Sequence, residues 1–223
     1  MNQRAMIGAI AALLLAAGIY EAAVRGLADM HYTRARLVLE PFLLAKAAPR
    51  PQAIAAAQAD LREAESLEPS NPMYVEQAAR LSELSALALA PGDPAARAGF
   101  EAALAGYREG IRMRPGSPYA WASIALLKLR LGRIDDEFYR ALDRAARLGP
   151  WEPQVQIALA DVGLAAWREL TAPARRTVIG ALERGLRREE REIRRIAAAH
   201  GTLPLVCREP SLPPRLAALC VKI

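Results

Sequence analysis

Cys207 and Cys220 are the residues of this chain best suited to form a covalent bond, because they are its only cysteines. They lie in the C-terminal stretch LVCREPSLPPRLAALCVKI, whose prolines prevent a single helix from joining them. Their even count, their close spacing and an export-like N-terminus favour a disulfide, which would stabilise a fold with a loop of this size by about 3 kcal/mol. The alternative is a pair of buried free thiols in a cytosolic protein.

Catalytic chemistry has little support among the other residues. The two histidines, His31 and His200, are far apart, and the sequence has no Gly-x-Ser-x-Gly, phosphate loop or His-Glu-x-x-His. Asp135, Asp136 and Glu137 are adjacent, but acids at the start of a helix commonly cap it and complement its dipole. We therefore predict that the protein is not an enzyme and that it binds neither a cofactor nor a metal.

A stretch without charged residues runs from Ala5 to Tyr20. Extended to Val24, it reaches about 20 residues, the length that an α-helix needs to span a bilayer. The only plausible small-x-small triplet for signal cleavage, Ala16-Ala17-Gly18, precedes bulky residues, and the helical spacing of apolar residues continues beyond Val24. We expect an uncleaved anchor over residues 1–25 that runs directly into a soluble helix. A cleaved signal peptide and a buried soluble helix are the alternatives.

The charges that flank this segment do not decide its orientation. Arg4 and the N-terminal amine favour a cytoplasmic N-terminus, whereas Arg25, Arg34 and Arg36 favour the opposite. A periplasmic body is favoured by the cysteine pair and by the family resemblance given below.

The composition predicts an all-α protein. Hydrophobic residues make up 53% of the chain but aromatic residues only 5%. Most of the other hydrophobic residues are alanine and leucine, which favour helices. The net charge of +6 arises from 27 arginines and three lysines against 24 acids. We interpret the arginines as a solvated surface, because no basic groove interleaved with aromatic residues is visible. No nucleic-acid partner is expected.

Three Pro-x-x-Pro pairs divide the body of the chain: Pro69 and Pro72, Pro115 and Pro118, and Pro150 and Pro153. The last two pairs are 35 residues apart, close to the 34 residues of a tetratricopeptide repeat, and the first two are 46 apart, which fits the same unit with an insertion. Counted from Pro118, Trp121 takes the aromatic position, Ala125 the small position and Gly132 the turn, whereas Lys128 replaces the usual tyrosine.

We therefore predict a tetratricopeptide-like solenoid of three to four helix pairs over residues 26–200 and a C-terminal tail over residues 201–223. An ordinary amphipathic bundle is the alternative. Trp151 and Trp167 are expected to fill the core. The run RGLRREEREIRRIAAAH, residues 184–200, is expected to form a solvated last helix, with a dock for anionic lipid heads or an acidic polymer as the alternative.

Residues 118–167 resemble the VpsP-like family of membrane-anchored tetratricopeptide proteins of bacterial exopolysaccharide gene clusters. The resemblance is clearest in PYAWA, LGPWEP and GLAAW, and it extends over roughly residues 100–220. It implies a single-pass inner-membrane protein whose periplasmic body assists polysaccharide biosynthesis or export, with envelope proteins of that machinery as partners.

Two kinds of function remain open. The first is a scaffold whose concave face holds a partner protein, and the second is a protein that guides an acidic polysaccharide. An assembly factor for pili or cytochromes would share the same architecture.

If Pro118 and Pro153 occupy the first positions of their units, positions 2, 5, 9, 12 and 13 face the concave side. The larger side chains there, which we expect to contact a partner, are Tyr119, Leu126, Leu129, Arg130, Gln154, Ile157, Asp161 and Leu164. Arg130 and Asp161 are the polar anchors of this predicted surface.

Overall fold

The computed structural model describes residues 3–45, 50–90, 92–210 and 212–221. These residues form helices and no strands, which confirms the all-α class for the described part of the chain. The helices are α1 (Gln3–Ala45), α2 (Pro51–Leu67), α3 (Pro72–Leu87), α4 (Pro94–Met113), α5 (Pro118–Arg130), α6 (Asp136–Leu148), α7 (Pro153–Ala165), α8 (Ala172–Arg188), α9 (Glu190–His200), α10 (Leu203–Val206) and α11 (Pro214–Cys220).

Proline and polar caps determine where most of these helices begin. In each Pro-x-x-Pro pair the second proline is the first residue of a helix, where a missing N–H group costs little. Asn71 and Ser117, which precede two of these prolines, accept hydrogen bonds from backbone N–H groups of α3 and α5. The prediction that these pairs separate helices is therefore confirmed.

Consecutive helices pack as antiparallel pairs, α1 with α2, α3 with α4, α5 with α6, and α7 with α8. Small residues stand at their crossings. A Cβ atom added to Gly99 or Gly106 of α4 would lie 2.8 Å from the Cβ atom of an alanine in α3. A Cβ at Gly163 of α7 would lie 2.3 Å from Val178 of α8. The paired helices can approach this closely only because no larger side chain separates them.

The first helix has two parts with opposite surroundings. Its N-terminal part, which includes Leu13, Leu14 and Ile19, exposes its apolar side chains, whereas Ala35 and Leu39 are fully buried against α2 and α3. It is also the one described helix that is long and apolar enough to cross a membrane. As expected, the helix passes without a break from the apolar segment into the packed part.

The main core is continuous from Ala79 of α3 to α11. Trp121 and Trp167 are buried, and the Trp121 indole Nε1 donates a hydrogen bond to the Pro115 carbonyl oxygen at 2.9 Å. The expectation that Trp151 fills the core is wrong, because its side chain is 65% exposed. Trp151 lies in the turn between α6 and α7, outside the inward face of either helix.

The C-terminal tail is attached by a covalent bond and by apolar contacts. Cys207 and Cys220 form the predicted disulfide. Leu216 and Leu219 of α11 are buried in the main core, and the backbone N–H of Leu216 donates to the buried Glu183 carboxylate at 3.1 Å. A tail too short to form its own core is therefore held against α8.

Lys128, the departure from the tetratricopeptide pattern, is a buried cation with two anionic partners. Its Nζ atom lies 2.5 Å from Asp135 and 3.0 Å from Glu137, and Glu137 also binds Arg108 at 2.6 Å. Arg108, and then Lys128, lower the pKa of Glu137 from 4.5 to about 2. The stabilisation that Glu137 provides is therefore complete above its ordinary pKa and is lost as the pH falls from about 4.5 towards 2.

We expect Trp121→Ala to lower the free energy of unfolding by about 3–5 kcal/mol, because the change removes a large buried side chain. Trp151→Ala is the matched control. The same substitution at this exposed turn should change the free energy by no more than about 0.5 kcal/mol. Denaturant unfolding of the detergent-solubilised chain, followed by circular dichroism, measures both. Equal effects would contradict the packing described for the two tryptophans.

For the Lys128 cluster, we predict which of two variants loses more free energy of unfolding. Asp135→Asn combined with Glu137→Gln leaves a buried ammonium group without an anion and should cost about 3 kcal/mol. Lys128→Met keeps an apolar stem and leaves two carboxylates that water and Arg108 can reach, so it should cost less than about 1.5 kcal/mol. The same unfolding measurement at pH 7 tests this order, and the reverse order would contradict it.

Candidate functional site: a groove between α3, α5 and α7

A cavity of about 300 Å³ lies between α3, α5 and α7. Tyr32 of α1, Tyr107 of α4 and Arg114 of the turn after α4 complete its lining. Its lining residues are Tyr32, Met73, Glu76, Gln77, Arg80, Glu83, Leu84, Tyr107, Arg114, Tyr119, Ala122, Ser123, Gln154, Val155 and Ala158. The first helices of three consecutive pairs thus line one continuous groove.

The largest contribution comes from α3. Its lining residues are Met73, Glu76, Gln77, Arg80, Glu83 and Leu84, whose spacing of three and four residues places them on one helical face. The adjacent face of α3, with Ala79 and Ala86, packs against α4. One face of α3 thus contributes to the core, and the neighbouring face lines the groove.

An ion pair holds one end of the groove. The Glu76 carboxylate accepts hydrogen bonds from Arg114 at 3.0 and 3.1 Å and from the Ser117 hydroxyl at 3.3 Å. Glu76 belongs to α3, whereas Arg114 and Ser117 belong to the turn between α4 and α5. The bonds therefore fix the spacing of α3 and α5 at this end of the groove.

The floor of the groove contains a buried carboxyl group. Glu83 is only 8% exposed, and the Tyr107 hydroxyl donates to it at 3.5 Å. Burial raises the pKa of Glu83, and the charges of Arg130 and Arg80 partly oppose this rise. Burial and the neighbouring Glu83 raise the pKa of Tyr107 as well, so it stays a hydroxyl donor. The groove thus combines apolar walls with a carboxyl group in its floor.

Two of the residues predicted to bind a partner lie in this groove. Tyr119 and Gln154 line it at the N-terminal ends of α5 and α7, and the Tyr119 hydroxyl donates to Glu152 at 2.5 Å. This contact joins α5 to the turn before α7.

The other six predicted residues, which include Leu164, lie outside the lining. Leu126, Leu129 and Ile157 are half-buried and pack against the core. The guanidinium carbon of Arg130 lies 5.8 Å from the centre of the Phe100 ring, at a separate cleft near the start of α4. The Asp161 carboxylate is hydrogen-bonded to the imidazole Nε2 of His200 in α9, at 2.6 Å.

Helix α9 explains why the groove stops short of Asp161. It packs along α7, and the Thr202 hydroxyl that follows it donates to the Leu164 carbonyl oxygen at 2.8 Å. Leu164, which was expected on the concave side, is fully buried. Helix α9, which follows the last pair, thus covers the face of α7 that would otherwise be open on the concave side.

The contribution of α3 is the part that the sequence analysis missed, although a signal for it was present. Counting from Pro72 in the way used for Pro118 and Pro153 places Met73, Glu76, Arg80, Glu83 and Leu84 at positions 2, 5, 9, 12 and 13. All five line the groove.

Among the described residues, no group of three or more histidine, cysteine or acidic side chains is placed to hold a metal ion. No protein-family model matches the sequence, and no curated protein is significantly similar to it.

We expect Glu83→Gln to raise the thermal unfolding midpoint at pH 7. A raised pKa means that ionisation of Glu83 destabilises the folded state once the pH exceeds the ordinary glutamate value, and an amide removes that charge while it still accepts from Tyr107. The gain should disappear near pH 4, where the unfolded carboxyl also binds its proton. Glu76→Gln, which weakens the Arg114 pair, is the control and should give no gain. A lower midpoint for Glu83→Gln at pH 7 would contradict this.

Proposed function

We propose that the protein is a membrane-anchored, tetratricopeptide-like scaffold that holds a segment of a partner protein in the groove between α3, α5 and α7. The observation that carries the proposal is the set of five α3 residues at positions 2, 5, 9, 12 and 13, all of which line the groove. These are the positions that face the concave side in the repeat register deduced from the sequence.

The packing of the helices supports the repeat interpretation. Antiparallel pairs follow one another along the chain, and the second, third and fourth pairs begin at a proline. Trp121 and Ala125 are buried at the positions that the register assigns to them. Ala64, Gly110 and Ala145 each lie five residues before the proline that ends their helix pair, and all three are buried. An ordinary bundle has no need for a small residue at the same position of successive pairs.

The charges of the groove favour a peptide over an acidic polysaccharide. Its lining includes two arginines, Arg80 and Arg114, and two glutamates, Glu76 and Glu83. A polyanion would need an excess of positive charge, whereas an extended or helical peptide uses apolar walls and a few placed polar groups. Met73, Leu84 and Tyr119 supply such walls.

Two further observations support a body on the extracytoplasmic side of a membrane. The N-terminal half of α1 exposes a long apolar surface, and the chain contains a disulfide. Disulfides persist in oxidising compartments such as the bacterial periplasm. We infer a single-pass inner-membrane protein whose body faces the periplasm.

The resemblance of residues 118–167 to the VpsP-like family supports a role in exopolysaccharide biosynthesis or export. The partner would then be another envelope protein of that machinery. Assembly factors for pili or cytochromes use the same architecture, so the partner has to be identified by experiment.

The test is co-purification from membranes of a host that makes no exopolysaccharide. Replacing two exposed groove residues, Met73→Ala with Gln154→Ala, should reduce retention of a protein partner by roughly tenfold, a loss of about 1.4 kcal/mol. The matched control is Leu87→Ala with Gln52→Ala, which changes equally exposed residues of α3 and α2 outside the groove.

Retention that is the same for both double variants would reject the groove as the binding site. Retention that requires the polysaccharide would instead favour the polysaccharide-guiding function. Normal circular dichroism of both variants is required, so that lost binding is not mistaken for lost folding.

A further inference from the structure

The turns that join one helix pair to the next lie at one end of the body. Because the paired helices are antiparallel, the connections between successive pairs all lie at the same end of the body. These connections are the turns at residues 68–71, 114–117 and 149–152 and the junction of α8 and α9 at Glu189. We refer to this end as the turn edge. The turns within pairs, including residues 131–135 and 166–171, lie at the other end.

The turn edge is level with the end of the apolar part of α1. Arg25 follows that part directly, forms an ion pair with Glu21 at 2.8 Å and lies 3.9 Å from Glu68 at the α2–α3 turn. Buried contacts of α1 begin just beyond, at Ala28. The turn edge therefore begins where the exposed apolar surface stops.

Polar contacts continue along this edge to its far side. Glu76 binds Arg114 and Ser117 between the second and third pairs, and Tyr119 binds Glu152 between the third and fourth. Beyond them, the Arg184 Nε atom donates to Gln156 at 3.1 Å. These bonds hold the turns in one connected row.

The far side of the turn edge presents an aromatic and basic surface, the Trp151 patch, which consists of Trp151, Arg184, Arg187 and Arg188. Trp151 is 65% exposed and lies at a small cleft shared with the three arginines. Of the other two tryptophans, Trp121 is 9% and Trp167 is 2% exposed. An exposed tryptophan beside arginines is therefore a local feature that the core does not require.

Acidic side chains near the patch are engaged by the fold. Glu152 accepts from Tyr119, and the buried Glu183 accepts from the backbone of Leu216 while lying 3.5 Å from Arg187. Glu189 is half-buried and Glu190 is exposed at the start of α9, where they add negative charge beside the arginines. The exposed guanidinium groups of Arg187 and Arg188 remain at the surface.

We propose that the Trp151 patch lies on the surface of the membrane that α1 spans and contacts anionic phospholipid headgroups. Tryptophan is enriched where the apolar core of a bilayer meets water, and arginines near a bilayer surface attract anionic lipids. The inference rests on the proposed anchor, and it goes further by giving the body a second attachment to the membrane. It does not depend on which side of the membrane the body occupies.

The experiment uses the full chain reconstituted into vesicles of phosphatidylcholine, with or without phosphatidylglycerol. A nitroxide attached to a lipid headgroup quenches tryptophan fluorescence only at the membrane surface. We expect quenching in the anionic vesicles, its loss in Trp151→Phe, and a quenched fraction roughly halved in Arg187→Gln with Arg188→Gln. Arg168→Gln, at an exposed arginine of the opposite end, is the control and should leave the quenching unchanged.

The outcomes separate this inference from the proposed anchor. A chain that does not float with the vesicles has no anchor, and both proposals fail. A chain that floats, but whose Trp151 is quenched by aqueous iodide and not by the headgroup nitroxide, keeps its anchor and overturns the membrane contact. The contact is also overturned if Trp151 fluorescence responds to a soluble polyuronate and not to phosphatidylglycerol, which would assign the patch to an acidic polysaccharide.

Discussion

The close approach of paired helices is the constraint on which the rest of this structure depends. Gly106 faces Ala79, and Gly163 faces Val178, with no room for another carbon atom between them. Contact of this kind holds the two helices of a pair antiparallel and in a fixed register. The first helices of successive pairs then lie side by side and enclose the groove, and the turns between pairs collect at one end. Both surfaces that we assign to binding thus depend on small residues that belong to neither surface.

The features that could be predicted from the sequence are those with a local physical cause. A proline has no N–H group to donate, so Pro72, Pro118 and Pro153 indicate helix starts in any context. The apolar segment before Val24 indicates a span by its length alone. The disulfide could be predicted because the chain has only two cysteines and they lie close together in a short tail.

The features that could not be predicted depend on contacts between distant residues. Periodicity places Asp161 on one face of α7, but it does not reveal that α9 returns to cover that face and supplies His200. Trp151 lies in the turn between α6 and α7, and hydrophobicity does not predict which side of a turn a side chain occupies. The role of α3 could have been predicted, because Pro72 fixes the repeat positions of α3. The sequence analysis assigned these positions only from Pro118 onward.

Lys128 and Glu83 are both buried charged residues, but they differ in how well their charges are compensated. Lys128 satisfies its ammonium group with Asp135 and Glu137 and thereby ties α5 to the start of α6. Glu83 receives only a long hydrogen bond from Tyr107, and its raised pKa records that its ionised form is poorly compensated. Because Glu83 lies in the groove floor, it is the buried polar group that the proposed partner segment would meet.

Helix α1 is continuous from Gln3 to Ala45, so no flexible linker separates the apolar segment from the body. If that segment is embedded as we propose, the body moves together with it, and the groove stays at a nearly constant distance from the bilayer. Encounters with other embedded proteins then become a search within the plane of the membrane. Such a search favours a partner whose groove-binding segment lies close to its own membrane anchor over one that carries it on a long tether.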